Sequence, residues 1–98
     1  MTKHYELERQ SREALIKKIG IGKIVKSVVI DRGHRNGPEV HAISETGIIM
    51  IFNKRTKELV TKLIARPAQI ERYYKEDEAP DWLLTIAKQH QTLGYNKA

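Results

Sequence analysis

The apolar residues near the start of the chain recur at helical spacing. Those that fall near one face are Leu7, Ala14, Leu15, Ile16 and Ile19, and charged residues occupy most of the remaining positions. Ser11 is a suitable N-cap for a shorter second helix that ends at Gly20, so one broken helix and two short helices are both compatible with the pattern. The pattern predicts a helical N-terminal part over residues 1–22.

After residue 22 the period of the hydrophobic residues changes. Residues 23–30 are rich in β-branched side chains and stop at the turn residues Asp31-Arg32-Gly33, with a further turn at Asn36-Gly37-Pro38. Three more strands are predicted at residues 39–44, 48–53 and 58–65, separated by turns at 45–47 and 54–57. Connections this short join antiparallel neighbours, so residues 23–66 are expected to form a four-stranded antiparallel meander.

The two faces of the predicted sheet differ in polarity. In the second strand, Val40 and Ala42 share one face, whereas Glu39, His41 and Ile43 share the other. The third strand is apolar on both faces. We therefore expect helices to pack on one face and to cover the other only partly.

Two prolines mark the predicted helices of the C-terminal part, residues 67–98. Pro67 cannot extend the fourth strand and suits the first turn of a short helix containing Ile70, Tyr73 and Tyr74. A second helix begins at Pro80 and stops at Gly94, with an apolar side formed by Trp82, Leu83, Ile86, Ala87, His90 and Leu93. The prediction is a single α+β domain: an N-terminal helix or helix pair, a four-stranded antiparallel meander, and one or two C-terminal helices.

Length and composition narrow the class of protein. The 98 residues fit one domain, since chains usually divide only beyond roughly 250 residues, and they are too few for a Rossmann, TIM-barrel or kinase enzyme. The absence of cysteine excludes disulfides and thiolate zinc sites. No apolar run approaches the roughly 20 residues needed to span a bilayer, and the first residues do not resemble a signal peptide. We expect a cytoplasmic protein with no membrane partner.

The charge of the chain favours an anionic partner. Lys and Arg number 18 against 12 Asp and Glu, giving a net charge of +6. Residues 1–38 carry nine basic and four acidic side chains, residues 39–66 five and three, and residues 67–98 four and five. The positive charge therefore lies before residue 67, as expected for a protein that binds nucleic acid.

No strong cofactor or metal motif is present. Gly20-Ile21-Gly22 lacks the third glycine and the preceding strand of a dinucleotide-binding loop, and is better explained as a helix-to-strand turn. The four histidines are not paired at helical ligand spacing. His34 and His41 could meet, but they lack cysteine or clustered carboxylates beside them. The sequence predicts no cofactor and no metal site.

The most suggestive pattern is a set of side chains at the ends of the strands that can donate hydrogen bonds to phosphate. They are His34, Arg35, His41, Lys54, Arg55, Thr56, Lys57, Arg66, Gln69, Arg72 and Tyr73. Metal-free RNA cleavage requires a base near the 2′-hydroxyl, an acid near the leaving oxygen and cations around the phosphorus, which these residue types supply. Structural explanations remain open: solvated turn cations at 54–57, a hydrogen-bonded sheet histidine at His41, and an ion pair between Arg66 and the acidic residues 76–78.

A resemblance supports this interpretation. Residues 36–41 (Asn36-Gly37-Pro38-Glu39-Val40-His41) and the run from Asn53 to Tyr74, which includes Leu63-Ile64-Ala65-Arg66-Pro67, look like small proteins encoded by phages of Gram-positive bacteria. The layout also resembles the nuclease-toxin superfamily that groups barnase, EndoU, colicin D and RelE. The resemblance implies helices before a four-stranded antiparallel sheet and metal-free RNA cleavage. The chain departs from barnase in lacking a carboxylate near a strand centre, since Glu39 and Glu58 sit at strand ends.

Two functional hypotheses follow. In the first, the chain is a metal-independent ribonuclease or toxin-like enzyme with His41 as base or acid, Arg66 and Lys54 on the phosphate, and Thr56 as a donor. Contacts to the nucleic acid would then come from His34, Arg35, Arg55, Lys57, Gln69, Arg72 and Tyr73. In the second, it is a non-catalytic basic phage accessory protein that binds nucleic acid or a host nucleic-acid enzyme, including as an anti-defence inhibitor. The predicted partners are RNA rather than DNA, and a host protein or a cognate inhibitor.

Overall fold

The computed structural model describes residues 12–33, 35–75 and 77–92. Helix α1 covers residues 12–19, and it is followed by strands β1 (Ile24–Ile30), β2 (Glu39–Ser44), β3 (Ile48–Asn53) and β4 (Leu59–Ile64). Helices α2 (Pro67–Tyr74) and α3 (Asp81–Thr92) complete the order. The sheet has the order β1-β2-β3-β4 with every neighbouring pair antiparallel, so the predicted α+β meander is confirmed.

The elements agree closely with the sequence pattern. Strands β2 and β3 have the predicted bounds, whereas β1 is one residue shorter and β4 loses a residue at each end. Helix α2 begins at Pro67, and α3 begins directly after Pro80. The predicted roles of Leu7, Ser11, Leu93 and Gly94 lie outside the described residues. None of the described helices is both long and apolar enough to cross a membrane.

Helices α2 and α3 pack on one face of the sheet. Ile43, Ile49 and Ile51 project from β2 and β3 into this layer, where the helices contribute Ile70, Leu83 and Ala87. All six side chains are buried, and burying a side chain as large as isoleucine or leucine contributes about 1.5–3 kcal/mol to stability. This layer holds the main hydrophobic core.

Helix α1 packs on the opposite face, near the β2–β3 turn. Its Ile16 is buried against Ile48 and Ile64. Farther along the sheet, the side chains of Val29 and Leu59 remain about half exposed. Helices thus pack on one face of the sheet and cover the other only partly, as expected, within the described part of the chain.

The β2–β3 turn joins the helical layers. The Thr46 hydroxyl donates to the carbonyl oxygens of Gly20 and Ile21, at 2.7 and 2.8 Å. On the other side, His90 Nε2 of α3 donates to the Thr46 carbonyl oxygen at 2.7 Å. Gly47 has a φ of 83°, and a Cβ there would lie 3.2 Å from atoms of Ile86 and His90. The turn therefore requires glycine both for its backbone and for the close approach of α3.

Candidate functional site

A groove of about 1150 Å³ opens between the β1 side of the sheet and α2. Its floor is formed by the face of β1 and β2 that carries His41, and α2 with the segment after it forms the opposite wall. Four cationic and two anionic side chains line it: Lys26, Arg32, Arg72, Lys75, Glu39 and Asp77. The groove is thus a concave surface with an excess of positive charge.

His41 lines this groove, and both of its ring nitrogens have hydrogen-bond partners. Its Nδ1 is 2.6 Å from the Tyr73 hydroxyl, and its Nε2 is 3.2 Å from Glu39 Oε1. Because a carboxylate only accepts hydrogen bonds, Nε2 carries a proton and donates to Glu39. In the neutral imidazole the Tyr73 hydroxyl then donates to Nδ1. We call the three residues Glu39, His41 and Tyr73 the Glu–His–Tyr row.

The members of the row differ in exposure. His41 is only 3% exposed, because it lies between paired strands beneath α2. The Glu39 side chain is 31% exposed, and Tyr73 is half-buried. A ligand in the groove therefore meets Glu39 and Tyr73 before it meets His41.

The pKa of Tyr73 is raised above its ordinary value of 10.0. Burial is the main cause, and the negative charge of Glu39 acts in the same direction, whereas the positive charges of Arg32 and Arg72 oppose the increase. At neutral pH the Tyr73 hydroxyl therefore keeps its proton and serves as a hydrogen-bond donor. Both arginines lie close enough to stabilise negative charge at this oxygen.

A second cluster of side chains lines the groove beside the row. The Lys26 ammonium lies 4.9 Å from the centre of the Tyr74 ring and 3.6 Å from Asp77 Oδ2. Lys26 faces the groove because it pairs with Ile43, which shares a face of β2 with His41. Asp77, from the acidic segment of the sequence, thus contacts a groove cation.

The groove contains four of the side chains predicted from the sequence: His41, Gln69, Arg72 and Tyr73. Gln69 also has a structural role, since its Oε1 accepts a hydrogen bond of 3.0 Å from the backbone N–H of Arg66. This bond satisfies one of the free N–H groups at the start of α2, as in half of a capping box. His34 lies outside the described residues.

The other predicted site residues that the structure describes lie outside the groove and at opposite ends of the sheet. Lys54, Arg55, Thr56 and Lys57 form the exposed β3–β4 turn, at the same end of the sheet as Arg35. The Lys54 N–H donates to the Pro38 carbonyl, which joins this turn to the β1–β2 connection. Arg66 follows β4 and therefore lies at the opposite end of that strand, roughly 17–20 Å away. The structure does not bring Arg66 together with Lys54 and Thr56.

Arg66 has the backbone geometry expected for a residue before proline. Its φ of −97° and ψ of 153° are extended, and it forms the N-cap of α2. The side chain is exposed. Asp77 of the acidic segment instead forms its ion pair with Lys26 of β1.

Sequence reasoning missed Lys26, Arg32 and Glu39 as groove residues. Side chains alternate along a strand, so Glu39 lies on the same face as His41, two positions away. The contact between these two residues could therefore have been predicted from the sequence. Assigning Lys26 to this face also requires knowledge of how β1 pairs with β2. Arg32 follows β1 in a connection whose path the sequence does not specify.

Within residues 12–33, 35–75 and 77–92, no three His, Cys, Asp or Glu side chains lie close enough to hold a metal ion. No protein-family model, curated protein sequence or solved structure matches this chain. The resemblance to phage proteins and nuclease toxins therefore stays a prediction from the sequence. The function must be inferred from the groove itself.

Proposed function

We propose that the groove binds RNA and cleaves it by metal-independent transesterification. The observation that carries this proposal is the Glu–His–Tyr row, which lies in a groove lined by Lys26, Arg32 and Arg72. A carboxylate, a protonated hydroxyl and nearby guanidinium groups are the three components that this reaction requires. The sequence hypothesis assigned this chemistry to different side chains: His41 as base or acid, with Arg66 and Lys54 on the phosphate.

In the proposed reaction, Glu39 is the general base. Its partly exposed carboxylate takes the proton of the ribose 2′-hydroxyl as the 2′-oxygen forms a bond to phosphorus. The bond from phosphorus to the 5′-oxygen breaks, and the Tyr73 hydroxyl turns its hydrogen from His41 Nδ1 toward the leaving oxygen and gives it that proton. The products are a 2′,3′-cyclic phosphate and a free 5′-hydroxyl, with the protons on Glu39 and Tyr73 reset by exchange with water.

His41 is a positioning residue in this scheme. Its ring contacts both reacting groups, Tyr73 through Nδ1 and Glu39 through Nε2, and so fixes the separation between acid and base. The positive charges of Arg32 and Arg72 stabilise the phosphorane and the phenolate that Tyr73 becomes. The role of His41 as the reacting base or acid, considered from the sequence, is less compatible with its burial.

A second candidate function is RNA binding without cleavage. It is favoured by the same burial of His41, whose ring nitrogens both have partners and whose side chain is nearly inaccessible. In that case the row serves only to hold α2 against the sheet. The cations of the groove would still bind phosphates.

Incubation of the purified protein with mixed RNA in EDTA tests the proposal. We expect cleavage products that end in a cyclic phosphate, and we expect Glu39→Gln to lower the rate by about 10²–10⁴-fold, as for loss of a general base. The matched control is Glu58→Gln, which changes charge equally at an exposed position outside the groove.

Cleavage by Glu39→Gln at the parent rate would contradict the assignment of the base. RNA binding by the parent protein without any cleavage would instead support the second candidate. Measuring RNA binding and product formation on the same samples separates these results.

A further inference from the structure

The cluster of Lys26, Tyr74 and Asp77 has no role in the proposed chemistry. It lines the same groove as the Glu–His–Tyr row, on the side of β1 that faces α2. The Lys26 side chain is 26% exposed and is fixed over the Tyr74 ring at 4.9 Å. Asp77, by contrast, is 78% exposed and approaches the ammonium only to 3.6 Å. The ion pair therefore joins a lysine side chain that is largely buried and packed on an aromatic ring to a carboxylate that is mostly exposed to solvent.

The strand register fixes where this cation lies along the groove. Val28 pairs with His41, and Lys26 pairs with Ile43, so Lys26 is one two-residue repeat from the level of His41. Alternate residues of a strand are roughly 6.6 Å apart. Successive phosphates of an extended nucleotide chain are separated by a similar distance. Beyond the other end of β1, Arg32 lines the groove, and its positive charge acts on Tyr73.

We propose that Lys26 forms a second phosphate subsite, which holds the phosphate next to the one bound beside Tyr73. The groove then takes a nucleotide chain with at least two phosphodiesters, and this proposal rests on the proposed function as an RNA-binding groove. In the free protein, Asp77 occupies the subsite as an internal anion. An entering phosphate displaces its carboxylate easily, because exposed ion pairs contribute little to stability.

Binding of short 2′-O-methyl oligoribonucleotides tests the subsite, since these probes have no free 2′-hydroxyl and are not cleaved. A dinucleotide carries one phosphodiester and a trinucleotide carries two. We expect the parent protein to bind the trinucleotide more tightly, and we expect Lys26→Met to weaken trinucleotide binding by about tenfold at low salt. Dinucleotide binding should change little. The control is Lys62→Met, on the opposite face of the sheet, which should behave as the parent protein does.

The complementary variant is Asp77→Asn. Because it removes the competing carboxylate, we expect it to strengthen trinucleotide binding several-fold and to leave dinucleotide binding nearly unchanged. Glu78→Gln is the matched control, since it removes the same charge from an exposed neighbour outside the groove.

Equal trinucleotide affinities for the Lys26→Met and Lys62→Met proteins would overturn the subsite, as would equal effects of Asp77→Asn and Glu78→Gln. The subsite and the cleavage reaction can fail separately. If the oligonucleotides bind as expected but unmodified RNA stays intact in EDTA, the subsite is supported and only the catalytic proposal is wrong. If cleavage occurs but the length dependence is missing, only the subsite is wrong.

Discussion

At the scale of single residues, the hydrogen bond between Tyr73 and His41 links α2 to the centre of the sheet. The bond is partly buried, and it joins a residue of α2 to a residue of β2 that lies 32 positions earlier in the chain. Such a bond contributes about 1 kcal/mol to stability when both partners are neutral. Its contribution also depends on the protonation of Tyr73, which makes it measurable.

We expect Tyr73→Phe to lower the free energy of unfolding by about 1 kcal/mol at neutral pH. Burial raises the pKa of Tyr73 above 10.0, so the folded state holds the phenolic proton more tightly than the unfolded state does. This stabilisation is complete below pH 10 and is lost as the pH rises toward the raised pKa. The difference between parent and variant should therefore narrow above pH 10.

Urea unfolding of the two proteins at neutral pH and above pH 10 measures this difference directly. Tyr74→Phe is a useful comparison, because burial also raises the pKa of Tyr74. Its hydroxyl is not part of the row, so Tyr74→Phe should cost less at neutral pH. A constant difference between parent and Tyr73→Phe at all pH values would contradict the expectation.

At the scale of secondary structure, the strands were largely predictable and the composition of the groove was not. The turn residues around Thr46 and Lys54 delimit β3 on both sides, and they allow only antiparallel neighbours. The separation of Arg66 from Lys54 also follows from the order of the elements, since Lys54 precedes β4 and Arg66 follows it. Lys26 could not be assigned in this way, because the sequence does not show which face α2 covers.

The β2–β3 turn offers a test of how the elements are joined. We expect Gly47→Ala to destabilise the protein by about 1–3 kcal/mol, because alanine is strained at a φ of 83° and its Cβ would crowd Ile86 and His90. Gly33→Ala separates the two causes, since Gly33 has a φ of 73° with no atom within 4 Å of the added Cβ. Urea unfolding should show the larger loss for Gly47→Ala. Equal losses would mean that the contact with α3 adds nothing.

At the scale of the whole molecule, a net charge of +6 favours anionic partners approaching from any direction, whereas the function proposed above places RNA in the groove alone. The exposed β3–β4 turn carries Lys54 and Arg55, and the groove carries Arg32 and Arg72. Lys54, Arg55 and Arg72 were among the site residues predicted from the sequence, whereas Arg32 was not. Only the second pair lies beside the Glu–His–Tyr row.

Two double variants, each lacking two positive charges, distinguish binding by the overall charge of the protein from binding by the groove. The groove variant carries Arg32→Gln and Arg72→Gln, and the turn variant carries Lys54→Gln and Arg55→Gln. We expect RNA binding by the parent protein to fall steeply with salt, because bound phosphates release counterions in proportion to their contacts. The groove variant should bind more weakly, with a salt slope smaller by about two, whereas the turn variant should stay close to the parent. Fluorescence titrations of a single-stranded RNA at about 50 and 200 mM salt measure both quantities. If the two variants lose affinity equally, the overall charge binds the RNA and the groove has no special part in it.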